Sequence, residues 1–116
     1  MLNLLEKHRD VIKTFRVDCY DQEGDSYRIK IEITLANNSR LFLKEYLFSS
    51  GERKYAFNWI DAEGKLLCRW DNAPHWPNVK TFPSHKHIQG EVLASKETTP
   101  EEILTIIAKE LKQKTD

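Results

Sequence analysis

Arg28-Ile29-Lys30-Ile31-Glu32-Ile33-Thr34-Leu35 decides the fold. Ile29, Ile31, Ile33 and Leu35 alternate with Arg28, Lys30, Glu32 and Thr34. A period of two puts the apolar side chains on one face of a strand and the polar ones on the other. Weaker versions lie on both sides. Upstream is Phe15-Arg16-Val17-Asp18-Cys19-Tyr20. Downstream, Leu41, Leu43 and Leu47 alternate with Phe42, Lys44 and Tyr46. Tyr55, Phe57 and Trp59 alternate with Ala56, Asn58 and Ile60, and Leu66, Cys68 and Trp70 with Leu67, Arg69 and Asp71.

Turn-forming groups separate these runs: Gln22-Glu23-Gly24-Asp25, Ala36-Asn37-Asn38-Ser39, Ser49-Ser50-Gly51-Glu52 and Asp61-Ala62-Glu63-Gly64. Gly and Asn tolerate the positive φ of tight hairpins. The connections are too short for helical crossovers, so neighbouring strands run antiparallel. The pattern predicts a five-stranded antiparallel meander. Helices bracket it. At the C-terminal end Thr99 is the N-cap, Pro100 the first helical residue, and Glu102 completes a capping box. Ile103, Leu104, Ile107, Ala108 and Leu111 then form one apolar stripe. Glu101 and Glu102 open this helix and Lys109, Lys112 and Lys114 close it, as the helix dipole favours. A shorter helix over residues 2–9 buries Leu2 and Leu5 and leaves His8 on the surface. Both helices pack on one face, giving a single two-layer α+β domain over residues 1–116. The strands also carry large side chains on the second face, with Phe42, Tyr46 and Phe48 opposite Leu41, Leu43 and Leu47. That face needs a cover: a strongly curved sheet, a partner subunit in a homodimer, or a ligand.

Eighteen Lys and Arg balance eighteen Asp and Glu. A protein that coats DNA non-specifically would carry a large positive excess. No apolar run approaches the ~20 residues of a membrane span. The first residues turn charged too early for a signal peptide, so the expected location is cytoplasmic, with no membrane partner. Cys19 and Cys68 lack CxxC spacing and sit in apolar strand contexts, which reads as two buried free thiols.

From Arg69 the alternation breaks: Arg-Trp-Asp-Asn-Ala-Pro-His-Trp-Pro-Asn-Val-Lys-Thr-Phe-Pro-Ser-His-Lys-His. Three of the chain's four prolines and three of its four histidines fall in residues 69–87. Proline forbids regular ladders, so the segment reads as a rigid irregular loop. A structureless loop of this length in a small domain usually has a function. Histidine exchanges protons near neutral pH, Arg69, Lys80 and Lys86 suit a phosphate, and Trp70, Trp76 and Phe82 suit base stacking. That chemistry is enough for a metal-independent ribonuclease. Each residue also has a plainer reading. Trp70 alternates with Cys68 and fits the core. Asp71 and Asn72 can cap a turn. His75 lies exposed between prolines. His85-Lys86-His87 puts both imidazoles on one side of an extended segment, where Asp71 or His75 would supply a third zinc ligand, yet no recognisable ligand spacing supports a metal. There is no P-loop, GxGxxG, HExxH or nucleophile elbow, and no helix-turn-helix or zinc finger.

The string Arg69-Trp70-Asp71-Asn72-Ala73-Pro74-His75, with Thr81-Phe82-Pro83 and His85-Lys86-His87 after it, resembles the signature of the TumE-like family. The meander with Arg40 and Glu45-Tyr46, and the short C-terminal helix, are similar to the family's plan. The resemblance implies the toxin component of a toxin–antitoxin pair, and with it a cognate antitoxin. It points to Arg69, Trp70, Asp71, Asn72, His75, His85, Lys86 and His87 as the site. The family often carries a second histidine where this chain has Trp76, and another where it has Ser84; a mechanism built on those imidazoles does not carry over.

The expectation is therefore an RNA-directed ribonuclease without cofactor or metal. His75, His85, His87 and Asp71 are its catalytic candidates, and Arg69, Lys86 and Trp76 its substrate contacts. The alternatives are a non-catalytic protein-interaction module and a His-ligated metal-dependent nuclease.

Overall fold

The computed structural model describes residues 2–114, without the side chains of Leu2 and Lys114; the expected burial of Leu2 and helix-closing role of Lys114 therefore lie outside the described residues. The chain runs α1 (Leu2–Lys7), β1 (Ile12–Glu23), β2 (Ser26–Leu35), β3 (Arg40–Leu47), β4 (Arg53–Ile60), β5 (Leu66–Asp71), β6 (His85–Ile88), β7 (Glu91–Ala94) and α2 (Pro100–Lys114). The strands form one antiparallel sheet in chain order, β1 to β7. It is an open slab, about 43 × 35 × 21 Å, and does not close on itself.

The expected alternation holds. Ile29, Ile31, Ile33 and Leu35 are all buried, as are Leu41, Leu43, Tyr55, Phe57, Trp59, Cys68 and Trp70. Against them lie Leu5 of α1 and the Ile103, Leu104, Ile107, Ala108 and Leu111 stripe of α2, in one core. Both helices therefore cover the same face. Ion pairs Lys7–Glu101 (2.8 Å) and Lys112–Asp10 (2.9 Å) tie the α1 end of the chain to α2. The α2 cap forms as expected, with the Glu102 amide donating to Thr99 Oγ1 at 3.2 Å. We expect Thr99→Ala to cost about 1 kcal/mol, seen as a lower thermal midpoint with no loss of α+β circular dichroism.

Four expectations are corrected. The sheet has seven strands, not five. The extra hairpin pairs His85 with Ala94 and Ile88 with Glu91 around Gln89-Gly90. Both turn residues have positive φ (51° and 80°), the signature of a tight two-residue hairpin turn. The histidines His85 and His87 thus sit on a strand rather than at the end of a loop. The N-terminal helix stops at Lys7. His8, expected on the surface, is buried: it sits in the turn after α1, where its amide donates to Leu4 O and Leu5 O, and it lines a pocket with Thr105 and Ala108 of α2. Cys19 is only half-buried, because the register shift after Val17 sets it opposite Lys30 on the helix-free face; both thiols are free. Phe15 and Val17, on the edge strand β1, stay exposed although they pair with core residues Ile33 and Ile31. Asp18 is the extra residue of a bulge in β1, a device that blunts an open sheet edge.

Candidate functional site

β5 and β6 pair in the register Arg69↔His87, Trp70↔Lys86 and Asp71↔His85. Residues directly opposite on antiparallel strands share a face. Trp70 is buried towards the helices, so Lys86 points to that side, near Cys68. Arg69, Asp71, His85 and His87 occupy the other face together. Residues 72–84 fold back over them. The Trp76 ring stands edge-on to His85 (6.4 Å between centroids) and to His87 (6.1 Å).

The loop is fixed at both ends. Asn72 Oδ1 accepts the Tyr55 amide at 3.0 Å, and Asn72 Nδ2 donates to Arg53 O at 2.8 Å. At the far end Thr81 Oγ1 donates to Ser84 O and accepts the Ser95 amide. Tyr55 Oη donates to Ser84 Oγ at 3.0 Å, and the Phe82–Pro83 peptide is cis.

Asp71 is the hub. Its Oδ1 accepts the Ala73 amide at 3.0 Å and faces His85 Nε2 at 3.0 Å. Its Oδ2 accepts from Arg69 Nε at 2.7 Å and lies 3.7 Å from His87 Nε2. His85 meets Pro83 O with Nδ1 at 2.9 Å, so the ring is held between the Asp71 carboxylate and the Pro83 carbonyl. The Asp71 and His85 side chains are 4% and 1% exposed, against 26% for His87 and 41% for Arg69. Only His87 and Arg69 of this group can touch a substrate; Asp71 and His85 hold them in place. Burial alone would raise the Asp71 carboxyl. Hydrogen bonds from Arg69 and the Ala73 amide, with the charges of His85 and Arg69, outweigh it and hold the pKa below the ordinary 3.8. Burial pushes His87 below the ordinary 6.5; His85 and Arg69 add to this, against the opposite pull of Asp71. His87 is thus a neutral base at pH 7, with Nε2 turned toward the Asp71 carboxylate and the ring part-exposed at the edge of the cluster.

The structure brings together Asp71, His85, His87, Arg69 and Trp76 from the expected set. Lys86 lies on the opposite face of the sheet and cannot share a phosphate with Arg69. His75 is exposed, and its ring makes no hydrogen bond, ion pair or ring contact among the described residues. Lys80 and Phe82 are exposed on the loop, and Trp70 is core. Asp71 does cap the turn into the loop, through Ala73, and serves the cluster with the same carboxylate.

Asp71, His85 and His87 also offer ligand atoms within 4.8 Å of one another. Two imidazoles and a carboxylate suit zinc, and a ligating histidine typically donates its other ring N–H to a carbonyl, as His85 does to Pro83. Sequence reading missed a second polar network. Glu45, on the helix side of β3 and buried, pairs with Arg53 of β4 and accepts the Tyr27 hydroxyl at 2.7 Å. Arg53 continues to Glu97 and Thr98 O, tying the sheet to the start of α2. Burial and the Glu45 hydrogen bond push the Tyr27 hydroxyl up to about 12. The available signal was Glu45 itself, a charged residue in phase with Leu41, Leu43 and Leu47.

A family model described as Toxin TumE matches residues 1–115. No curated protein and no solved structure matches the chain.

Proposed function

Because the chain belongs to the TumE toxin family, with the antitoxin partner that such a toxin implies, we propose that it acts on RNA as a ribonuclease at the Arg69–Asp71–His85–His87 cluster. The observation that carries the reading is a neutral, part-exposed imidazole beside a guanidinium, both held by one buried carboxylate. The His87 ring nitrogen that faces away from Asp71 takes the proton of a ribose 2′-hydroxyl as that oxygen attacks the adjacent phosphorus, while Nε2 stays turned to the carboxylate. Arg69 offsets the charge that builds on the phosphorane oxygens. The 5′ oxygen leaves with a proton from His75, the exposed imidazole that precedes Trp76 in the chain. Asp71 and His85 act as positioning residues, and Trp76 presents its ring beside the reacting groups.

This chemistry needs no metal. The Asp71 oxygens already take hydrogen bonds from Ala73 and Arg69 and face both imidazoles. The second reading, a metal-dependent nuclease, is favoured by the three convergent ligand atoms and the Pro83 contact. Incubating the purified toxin with RNA, with and without EDTA, separates them: EDTA-resistant cleavage supports the first, EDTA-sensitive cleavage the second. No cleavage in either condition leaves a non-catalytic module that acts by binding.

A base works in its neutral form, which accumulates above its pKa. With His87 lowered, the acid limb of the cleavage–pH profile should fall below pH 6.5. A limb at pH 7 or above would remove His87 from the role of base. No helix among the described residues is long and apolar enough to cross a membrane.

A further inference from the structure

The helix-free face of β2–β5 leads directly into the cluster. Register places Lys30 opposite Lys44, Lys44 opposite Ala56, and Ala56 opposite Asp71, in one row across four strands. The neighbouring row runs Phe42, Asn58, Arg69, His87. Between the rows lies an open groove of about 260 Å³ lined by Lys30, Phe42, Lys44, Ala56, Asn58 and Arg69, with one acidic residue, Asp18, at its β1 edge. Three strand spacings separate Lys30 from Asp71, roughly 14 Å.

Three features of this groove ask for an anion. Lys30 and Lys44 are directly opposed like charges, an arrangement that costs the sheet stability. Among the described residues neither forms an ion pair; the Lys44 ammonium only stands over the Tyr46 ring at 5.4 Å. The acidic groups nearby are already taken. Glu32 pairs with Arg16 and Arg40, and Asp18 with Arg16. The small Ala56 side chain opens the floor between Lys44 and the Asp71 cluster, and Asn58 Oδ1 accepts from Arg69 Nη1 at 3.2 Å, steering the guanidinium along the groove.

We propose that a single-stranded RNA crosses β2–β5 in this groove. Its phosphates sit on Lys30 and Lys44, a base lies on the Phe42 ring, and the scissile phosphate reaches Arg69 and His87. Cations tracking a backbone beside an aromatic platform are how proteins hold single strands without reading sequence. The inference rests on the RNA reading of the cluster and adds how the substrate arrives.

The test is a Lys30→Glu/Lys44→Glu double variant of the full chain. Both side chains point away from the core, so the thermal midpoint should not fall; Lys30→Ala/Lys44→Ala carries the test if the charge reversal misfolds. Wild type and variant are compared for binding of a fluorescent oligouridylate of about twelve nucleotides, and for cleavage of that oligomer and of a uridine dinucleotide. The variant should bind the oligomer at least about tenfold more weakly, and the log–log salt dependence of the alanine variant should be shallower by about 1.4. Dinucleotide cleavage, which needs only the cluster, should stay unchanged. Equal affinity of variant and wild type for the oligomer, with both cutting it, overturns the groove and leaves the ribonuclease reading standing. A wild type that neither binds nor cuts RNA overturns both. Displacement of the oligomer by polyglutamate at matched charge concentration overturns RNA in favour of an acidic protein segment.

Discussion

Replacing His87 by alanine should abolish cleavage and growth inhibition while the protein stays folded. The ring lies at the open side of the cluster and makes no hydrogen bond shorter than its 3.7 Å approach to Asp71. Its loss removes only edge contacts with Trp76 and His85. The expected stability change is therefore small, within about 1 kcal/mol for a part-exposed side chain. The activity change is large, because a positioned general base contributes roughly 10²- to 10⁴-fold. Two measurements on the same preparation decide it: the thermal midpoint, and the initial rate on single-stranded RNA. A variant that keeps more than about a tenth of wild-type activity would sink the assignment of His87 as base. His75→Ala, on an exposed loop, should slow the reaction without touching stability. If neither substitution relieves growth inhibition in cells, this site does not carry the toxicity.

Asp71→Ala should fail differently, losing stability and activity together. It removes the carboxylate that faces His85 in a nearly solvent-free setting and frees Arg69 Nε and the Ala73 amide at once. Leaving a buried polar partner unsatisfied costs ~1–3 kcal/mol, more for a charged group, so losing the acceptor of His85, Arg69 and the Ala73 amide together should lower the midpoint of a domain this size by about 10 °C or more. The contact also has a pH signature. The folded Asp71 pKa lies below the ordinary 3.8. Its stabilisation is therefore fully present above the unfolded value and disappears as pH falls through the folded one. Wild type should lose stability steeply below about pH 4, and Asp71→Ala should flatten that part of the curve. Asp71→Asn separates the roles: it keeps the shape and the Oδ1 acceptor but not the charge. It should recover part of the lost stability, while cleavage stays low because Arg69 and His87 lose the charge that aligns them. Full activity in Asp71→Asn would argue against the cluster as the catalytic centre.

Alternation over residues 28–35, together with turn residues between the runs, was enough to read the meander, because side-chain direction in a strand depends only on parity. The α2 helix was readable for a similar local reason: its cap, first-turn acids and apolar stripe all lie within one segment. The sequence alone also carried the TumE-like string at residues 69–75 and the shared side of His85 and His87. What it left hidden was non-local. Prolines in residues 69–87 masked a short strand whose pairing partner, Arg69 to Asp71, lies fourteen or more residues away in the chain. Only that pairing assigns Lys86 to the helix side and the two histidines to Asp71. Gln89-Gly90 was the one local hint, a two-residue turn with both φ values positive. The burial of His8 and the Glu45–Arg53 pair follow from which elements pack over them, as does the difference between His85 at 1% exposure and His87 at 26%. Sequence by itself thus determined the elements, their antiparallel order through five strands and the stretch that holds the site, since these follow from local periodicity and chemistry. Tertiary structure alone decided the last two strands, the face each residue takes and which imidazole meets solvent, because those depend on register and burial between segments far apart in the chain.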